Sequence, residues 1–149
     1  MAEKPKIHAY YQQLVDDRID AFRDMISALT EDSKNDAKGS AGDKHETALS
    51  MMHIEQEKLN RKLTEFLDQK VILDKIDPDH TSSKIILGSL VVANGINLYL
   101  SVALPKITID AITIIALSPQ SPLGQNLLGN SVGHTFMING TNYIVESVV

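Results

Sequence analysis

The chain has 149 residues, 43% hydrophobic and 22% charged, with a net charge of −5 and no cysteine. That balance suits one ordinary globular domain or two small ones, and it excludes disulfides, thiolate metal sites and nucleic acid captured by bulk charge alone. The opening "AEKPKIHAYY" lacks the apolar core of a signal peptide, and no run reaches the ~18 apolar residues of a spanning helix, so a soluble, cytoplasmic protein is expected.

The first half carries a helical period. Pro5 stands where proline is tolerated, in a first helical turn. Tyr11, Val15, Ile19, Phe22, Ile26 and Leu29 follow at steps of three and four, which is an apolar seam. "TEDSKNDAKGSAGDK" comes next and is rich in turn formers. A second seam runs through Leu49, Met52, Gln56, Leu59, Leu63 and Phe66, with Gln56 as its polar interruption. Two seams and one short connection predict an antiparallel helical hairpin over 1–70. Its arms would hold about 25 residues, or roughly 38 Å each. The seams are packing surfaces and carry no chemistry.

"GSAGDKHET" opens the second arm. Asp43 and Glu46 stand three apart there, and that spacing supports two readings. One is a capping box, in which the two side chains satisfy free backbone N–H groups at a helix start. The other is a carboxylate pair for magnesium, which prefers oxygen ligands and is often held by one or two carboxylates plus phosphate. Lys34, Lys38 and Lys44 alternate nearby with Asp32 and Asp36, as a solvated loop or as a contact to RNA phosphate. His45 and His53 do not form a transition-metal pair, because no histidine falls four residues after His45.

Past residue 70 the texture changes. A linker with Pro78 is expected over 71–83, and a strand-rich domain over 84–149. Candidate strands are "KIILGSLVVA", "NLYLSVAL", "AITIIALS", "HTFMING" and "NYIVESVV", with a hairpin turn at Gly140. "PLGQNLLG" is the single helical candidate, with Leu123, Leu127 and Leu128 on one face and Gly129 at its end. Ser121 is placed to cap it and Pro122 to occupy its first position.

"SPQSPLG", "LLGNSVG" and the closing strand resemble the C-terminal domain of the Gre family of bacterial transcript-cleavage and elongation factors. "GSLVVA", starting at Gly88, resembles the entry into that domain, and "GDKHET" resembles the family's tip segment. The likeness runs from about residue 7 to the end. It implies an α+β protein: an N-terminal antiparallel coiled-coil hairpin plus an FKBP-like antiparallel β-sheet domain with one short helix. It further implies a partner, bacterial RNA polymerase, gripped through Ser118, Pro119, Ser121, Pro122, Leu123 and Gly124. The hairpin would enter the secondary channel as a monomer. Asp43 and Glu46 would assist a Mg2+ ion shared with the polymerase, bound only in the complex. Lys38 and Lys44 would lie near the 3′ end of the nascent RNA.

On this resemblance the factor is not itself an enzyme, because the catalytic centre that cuts the backtracked transcript belongs to the polymerase. One departure matters: the family usually continues the acidic pair with Asn-Ala-Glu-Tyr, and this chain has Thr47, Ala48, Leu49 and Ser50. A non-cleaving regulator occupying the same channel is therefore the alternative. Prolyl isomerase activity is disfavoured, since the second half offers only Tyr99, Phe136 and Tyr143 as aromatics. A rod that self-associates is the remaining rival.

Overall fold

A computed structural model describes the backbone of residues 3–39 and 43–149, and the side chains of 3–32 and 46–149. Its elements are α1 (Lys4–Gly39), α2 (Asp43–Lys75), β1 (Leu90–Ala93), β2 (Ile96–Leu100), β3 (Leu104–Ile109), β4 (Ile112–Leu117), α3 (Pro122–Leu127), β5 (Thr135–Ile138) and β6 (Thr141–Val148). The chain divides into two compact units. One is Gln13–Lys70; the other joins the residues up to Gln12 with Val71–Val149.

The first unit is the antiparallel helical hairpin. Its two seams face each other: Phe22 packs edge-on against Phe66 with ring centroids 5.2 Å apart. The guanidinium of Arg18 lies 5.5 Å from the Phe66 ring centroid, and the Lys62 ammonium stands at the same distance. Both charged heads thus stand over the ring, where its negative face attracts a cation. Lys70 donates to Asp16 at 2.7 Å across the pair, an exposed bridge of small energetic weight. The polar interruption is satisfied, because the Gln56 amide donates to the Thr30 hydroxyl, which donates to the carbonyl of Ile26.

The helices are longer than the expected arms of about 25 residues. α1 holds 36 residues and α2 holds 33. α1 continues through "EDSKNDAKG", a segment without proline whose only glycine is the last residue, so the helical ladder can go on satisfying backbone groups. At the other end α2 runs past 70 to Lys75, into the expected linker.

The second unit is a six-stranded sheet in the order β3-β4-β2-β1-β6-β5. It is antiparallel except for one pair, since β2 runs parallel to β4. β3, over "LPKITI", was absent from the expected strands, and "NLYLSVAL" is two strand ends joined by a bend at 101–103. β4 then returns into the gap between β2 and β3. Three residues suffice for that step, because two strand spacings amount to roughly 10 Å and an extended residue spans about 3.3 Å. Residues 84–89, expected as strand, form turns. Gly88 sits there at φ +95, and a Cβ on it would stand 2.7 Å from Cγ2 of Ile76. The turn is positioned by Ser89, whose hydroxyl accepts from the Ile86 N–H at 2.9 Å.

Two tight turns share one chemistry. Asn94-Gly95 and Asn139-Gly140 both have positive φ at both residues, as a type I′ hairpin requires. Asn94 is further tied down: its amide donates to Asn142 O at 2.7 Å, and its oxygen accepts from Ile144 N. β6 carries an irregularity opposite Val92 and Ala93, and there the Glu146 carboxylate accepts the Gly95 N–H at 3.1 Å.

Each sheet face has its own cover. On one, Val91, Ala93, Leu98, Leu100, Leu117 and Val145 pack with Ile85 and with Leu127 of α3. On the other, the first turns of α1 lie against Tyr99 and Ile114. Tyr11 stacks on Tyr99 at 6.2 Å and donates to the carbonyls of Pro105 and Ile114. His8 shares a 2.8 Å hydrogen bond with the Tyr99 hydroxyl. Residues up to Gln12 thus belong with the sheet rather than with the hairpin, where a boundary at 70 had put them. Burial of Ile7, His8 and Tyr11 on the sheet is the physical reason.

Candidate functional site

The loop 118–124 is built from its own hydrogen bonds. The Ser121 hydroxyl accepts the Gly124 N–H at 3.0 Å and donates to the Ser118 carbonyl at 2.7 Å. Ser121 is therefore the N-cap of α3, at φ −65 and ψ 156, and Pro122 occupies the first helical turn, where its missing N–H costs nothing. The Gln120 N–H and its side-chain oxygen both engage the Ser118 hydroxyl, and Gln125 donates to the Gln120 carbonyl at 3.1 Å. Gly124 is buried, and the Ser118 carbonyl presses into the space where a side chain would begin. The loop can take this path only with glycine at 124.

This rigid loop presents Gln120, Pro122 and Gln125 to solvent, with Ser118, Pro119 and Ser121 half-buried. Leu123 is held back against the core. Leu127 is fully buried as expected, but Leu128 is not core: it is 46% exposed at the end of the helix. α3 stops at Leu127, so Leu128 leaves the helical face it would share with Leu123.

The stretch of chain that contains the loop carries no charged residue of its own. From Ala111 to Val145 there is no Asp, Glu, Lys or Arg. The β5–β6 hairpin in that stretch stacks Phe136 on Tyr143 at 5.2 Å and His134 on Phe136 at 5.6 Å, while Met137 is 62% exposed.

At the other candidate site, Asp43 is the first residue of α2. Its side chain and those of Lys38, Lys44 and His45 lie outside the described residues. Glu46, one turn further on, is exposed. Two carboxylates three apart on a helix lie on one face, and as hard oxygen donors they fit magnesium rather than a softer ion. Among the described residues no group of three or more His, Asp or Glu side chains converges on one point. Among them, too, no helix is long and apolar enough to cross a membrane.

Sequence reasoning passed over two buried ionisable groups, both in the first turns of α1. Lys4 is only 7% exposed, and its ammonium donates to the carbonyls of His80 at 2.6 Å and Val149 at 3.1 Å. Burial pushes its pKa down, while Asp77 and Asp79 pull it back up. Burial likewise lowers the pKa of His8, opposed by the Asp74 carboxylate and the Leu73 carbonyl and reinforced by Lys4. Tyr11 is pushed up to about 12 by burial, and Tyr99 is raised for the same reason. No periodicity distinguishes a buried lysine or histidine from a solvated one, so the signal was not in the pattern.

The class defined by these features is an α+β chain: a two-helix antiparallel hairpin followed by a mixed six-stranded sheet with one short, capped helix. No protein-family profile matches the chain, and no curated protein matches it. Among solved structures the chain is similar to the GreA factor homolog 1 (Gfh1) protein of Thermus thermophilus, with 16% identity and a TM-score of 0.36 over 93% of this chain and 94% of that one. A second structure, described as the transcription factor Gfh1, is 20% identical with a TM-score of 0.36, over 92% of each chain.

Proposed function

We propose that this chain is a Gre-like transcription factor that docks on bacterial RNA polymerase and extends its helical hairpin into the secondary channel. The observation that carries the reading is the "SPQSPLG" segment. Its residues match the family's motif, and they form a loop closed by Ser118, capped by Ser121 and dependent on glycine at 124. Rigid exposed loops on a packed scaffold are where recognition is commonly built. The absence of Asp, Glu, Lys and Arg from residues 111–145 suits a protein partner, since interface centres are depleted in charge.

In this reading the hairpin delivers Asp43 and Glu46 to the polymerase's active centre, and the exposed position of Glu46 supports that use. The two carboxylates would hold a Mg2+ ion shared with the polymerase, which supplies the positive charge that phosphodiester cleavage needs. Their own task is to present oxygen ligands; Lys38 and Lys44 would meet phosphates near the 3′ end of the transcript. The factor has no catalytic centre of its own and acts as a monomer in the cytoplasm. The replacement of the family's Asn-Ala-Glu-Tyr by Thr47, Ala48, Leu49 and Ser50 favours a second reading. In that one the chain occupies the channel without promoting cleavage.

The experiment is a cleavage assay on backtracked complexes with purified polymerase. Stimulated cutting that is lost in Asp43→Ala and Glu46→Ala supports the first reading. Binding to the polymerase with no stimulation supports the second. Absence of binding, with the Pro122→Ala and Gln125→Ala variants behaving like the parent, removes both.

A further inference from the structure

The sheet face that carries Tyr99 is only partly covered by α1. Beside the first helical turn a cleft of about 550 Å3 opens onto the sheet. That volume lies within the range of small-ligand sites. Its floor is formed by Leu90 and Val92 of β1 and Ile112 and Ile114 of β4, together with Asn97 of β2 and Ser147 of β6. Pro5, Ile7 and Pro78 close it from above.

The two polar residues of the floor stand out. Register places Asn97 and Ser147 directly opposite Val92, one on each flanking strand. They are therefore about 10 Å apart, two strand spacings. Both are half-buried, and neither side chain has a hydrogen-bond partner in the protein. Asparagine is depleted from strands, and Asn97 lies in an interior strand between β1 and β4, paired with Val92 and Ile114. Asn97 and Ser147 bring an amide and a hydroxyl to an otherwise apolar floor, where the polar groups of a ligand can pair with them.

Charge at the mouth narrows the ligand class. The carboxylates of Glu3 and Asp79 stand exposed at the rim. Lys4 also lines the cleft, but two of its ammonium donors are taken by the carbonyls of His80 and Val149. An anion would meet two like charges against the single cation of Lys4. An ammonium would have to be desolvated to reach a floor that offers only an uncharged amide and a hydroxyl.

We propose that this cleft is a binding site for a small uncharged ligand with an apolar body and one or two amide or hydroxyl groups, which pair with Asn97 and Ser147. The site stands apart from the polymerase reading and does not depend on it.

The test uses the full chain with labelled methyl groups and three matched probes: neutral N-acetyl-phenylalaninamide, anionic N-acetyl-phenylalanine and cationic phenylalaninamide. The neutral probe at millimolar concentration is expected to shift the methyls of Leu90, Val92, Ile112 and Ile114 saturably, with each charged probe at least several-fold weaker. Asn97→Leu should weaken the neutral probe about fivefold, the scale of one hydrogen bond. Val92→Phe should abolish binding by filling the cleft. Circular dichroism on both variants checks that the sheet is retained, and Ser147→Ala supplies a second, smaller truncation. Shifts scattered over other surfaces, equal or tighter binding of a charged probe, or no effect of the folded variants would overturn the proposal.

Discussion

The side-chain amide of Gln56 donates a 3.1 Å hydrogen bond to the hydroxyl of Thr30, joining α2 to α1 in the middle of an otherwise apolar seam. A single polar pair in such a seam restricts register, because sliding by one turn would bury both groups unpaired. Gln56→Ala should therefore cost about 1 kcal/mol of stability, for the lost bond and lost contacts. Gln56→Leu should cost little or nothing, since leucine fills the seam and Thr30 retains its bond to Ile26. Denaturant unfolding of the two variants checks the difference.

A Cβ added to Gly124 would collide with the carbonyl oxygen of Ser118 and stand 2.9 Å from Cα of Pro119. Both neighbours are backbone and cannot rotate away. Gly124→Ala should destabilise the chain by about 3 kcal/mol, the upper end of overpacking costs. Thermal unfolding that leaves the melting temperature unchanged would show that the loop has another conformation available.

His8 makes stability depend on pH. Its folded pKa lies below the ordinary histidine value because it is buried, so the unfolded chain binds the proton more tightly. Its contribution is present above about 6.5, the unfolded value, and is lost as pH falls through the folded one. The facing groups are Asp74, whose carboxylate moderates the shift, and Lys4, which adds to it. Melting curves between pH 7.5 and pH 5 should fall more steeply for the parent than for His8→Gln, which keeps a polar group near Tyr99 but cannot titrate.

Ala111 ends the β3–β4 turn at φ +65, following Asp110 at +53. The left-handed region costs a residue with a Cβ about 1–2 kcal/mol, whereas glycine adopts it freely. Against that, glycine raises the entropy of the unfolded chain. Ala111→Gly should stabilise the protein by roughly 0.5 kcal/mol, measured as a higher denaturant midpoint with an unchanged slope.

Much of this molecule was legible from spacing. The two seams from Val15 to Leu29 and from Leu49 to Phe66 face inward as their period requires, because a helical face has no other way to hide its apolar side chains. Ser121 and Pro122 start α3 as local chemistry dictates, and the turn at Gly140 falls where asparagine and glycine tolerate positive φ. Local energetics decide each of these, so sequence suffices.

Tertiary structure decided the rest. β3 was hidden because Pro105 and Lys106 interrupt its alternation, and it exists because β4 offers its edge as a partner. The parallel pairing of β2 with β4, the close approach of Ser118 to Gly124, and the burial of Lys4 and His8 all join residues distant in sequence or pressed together by loop closure. Periodicity reports only which face of an element is apolar; which surface comes to cover that face depends on how the whole chain closes upon itself.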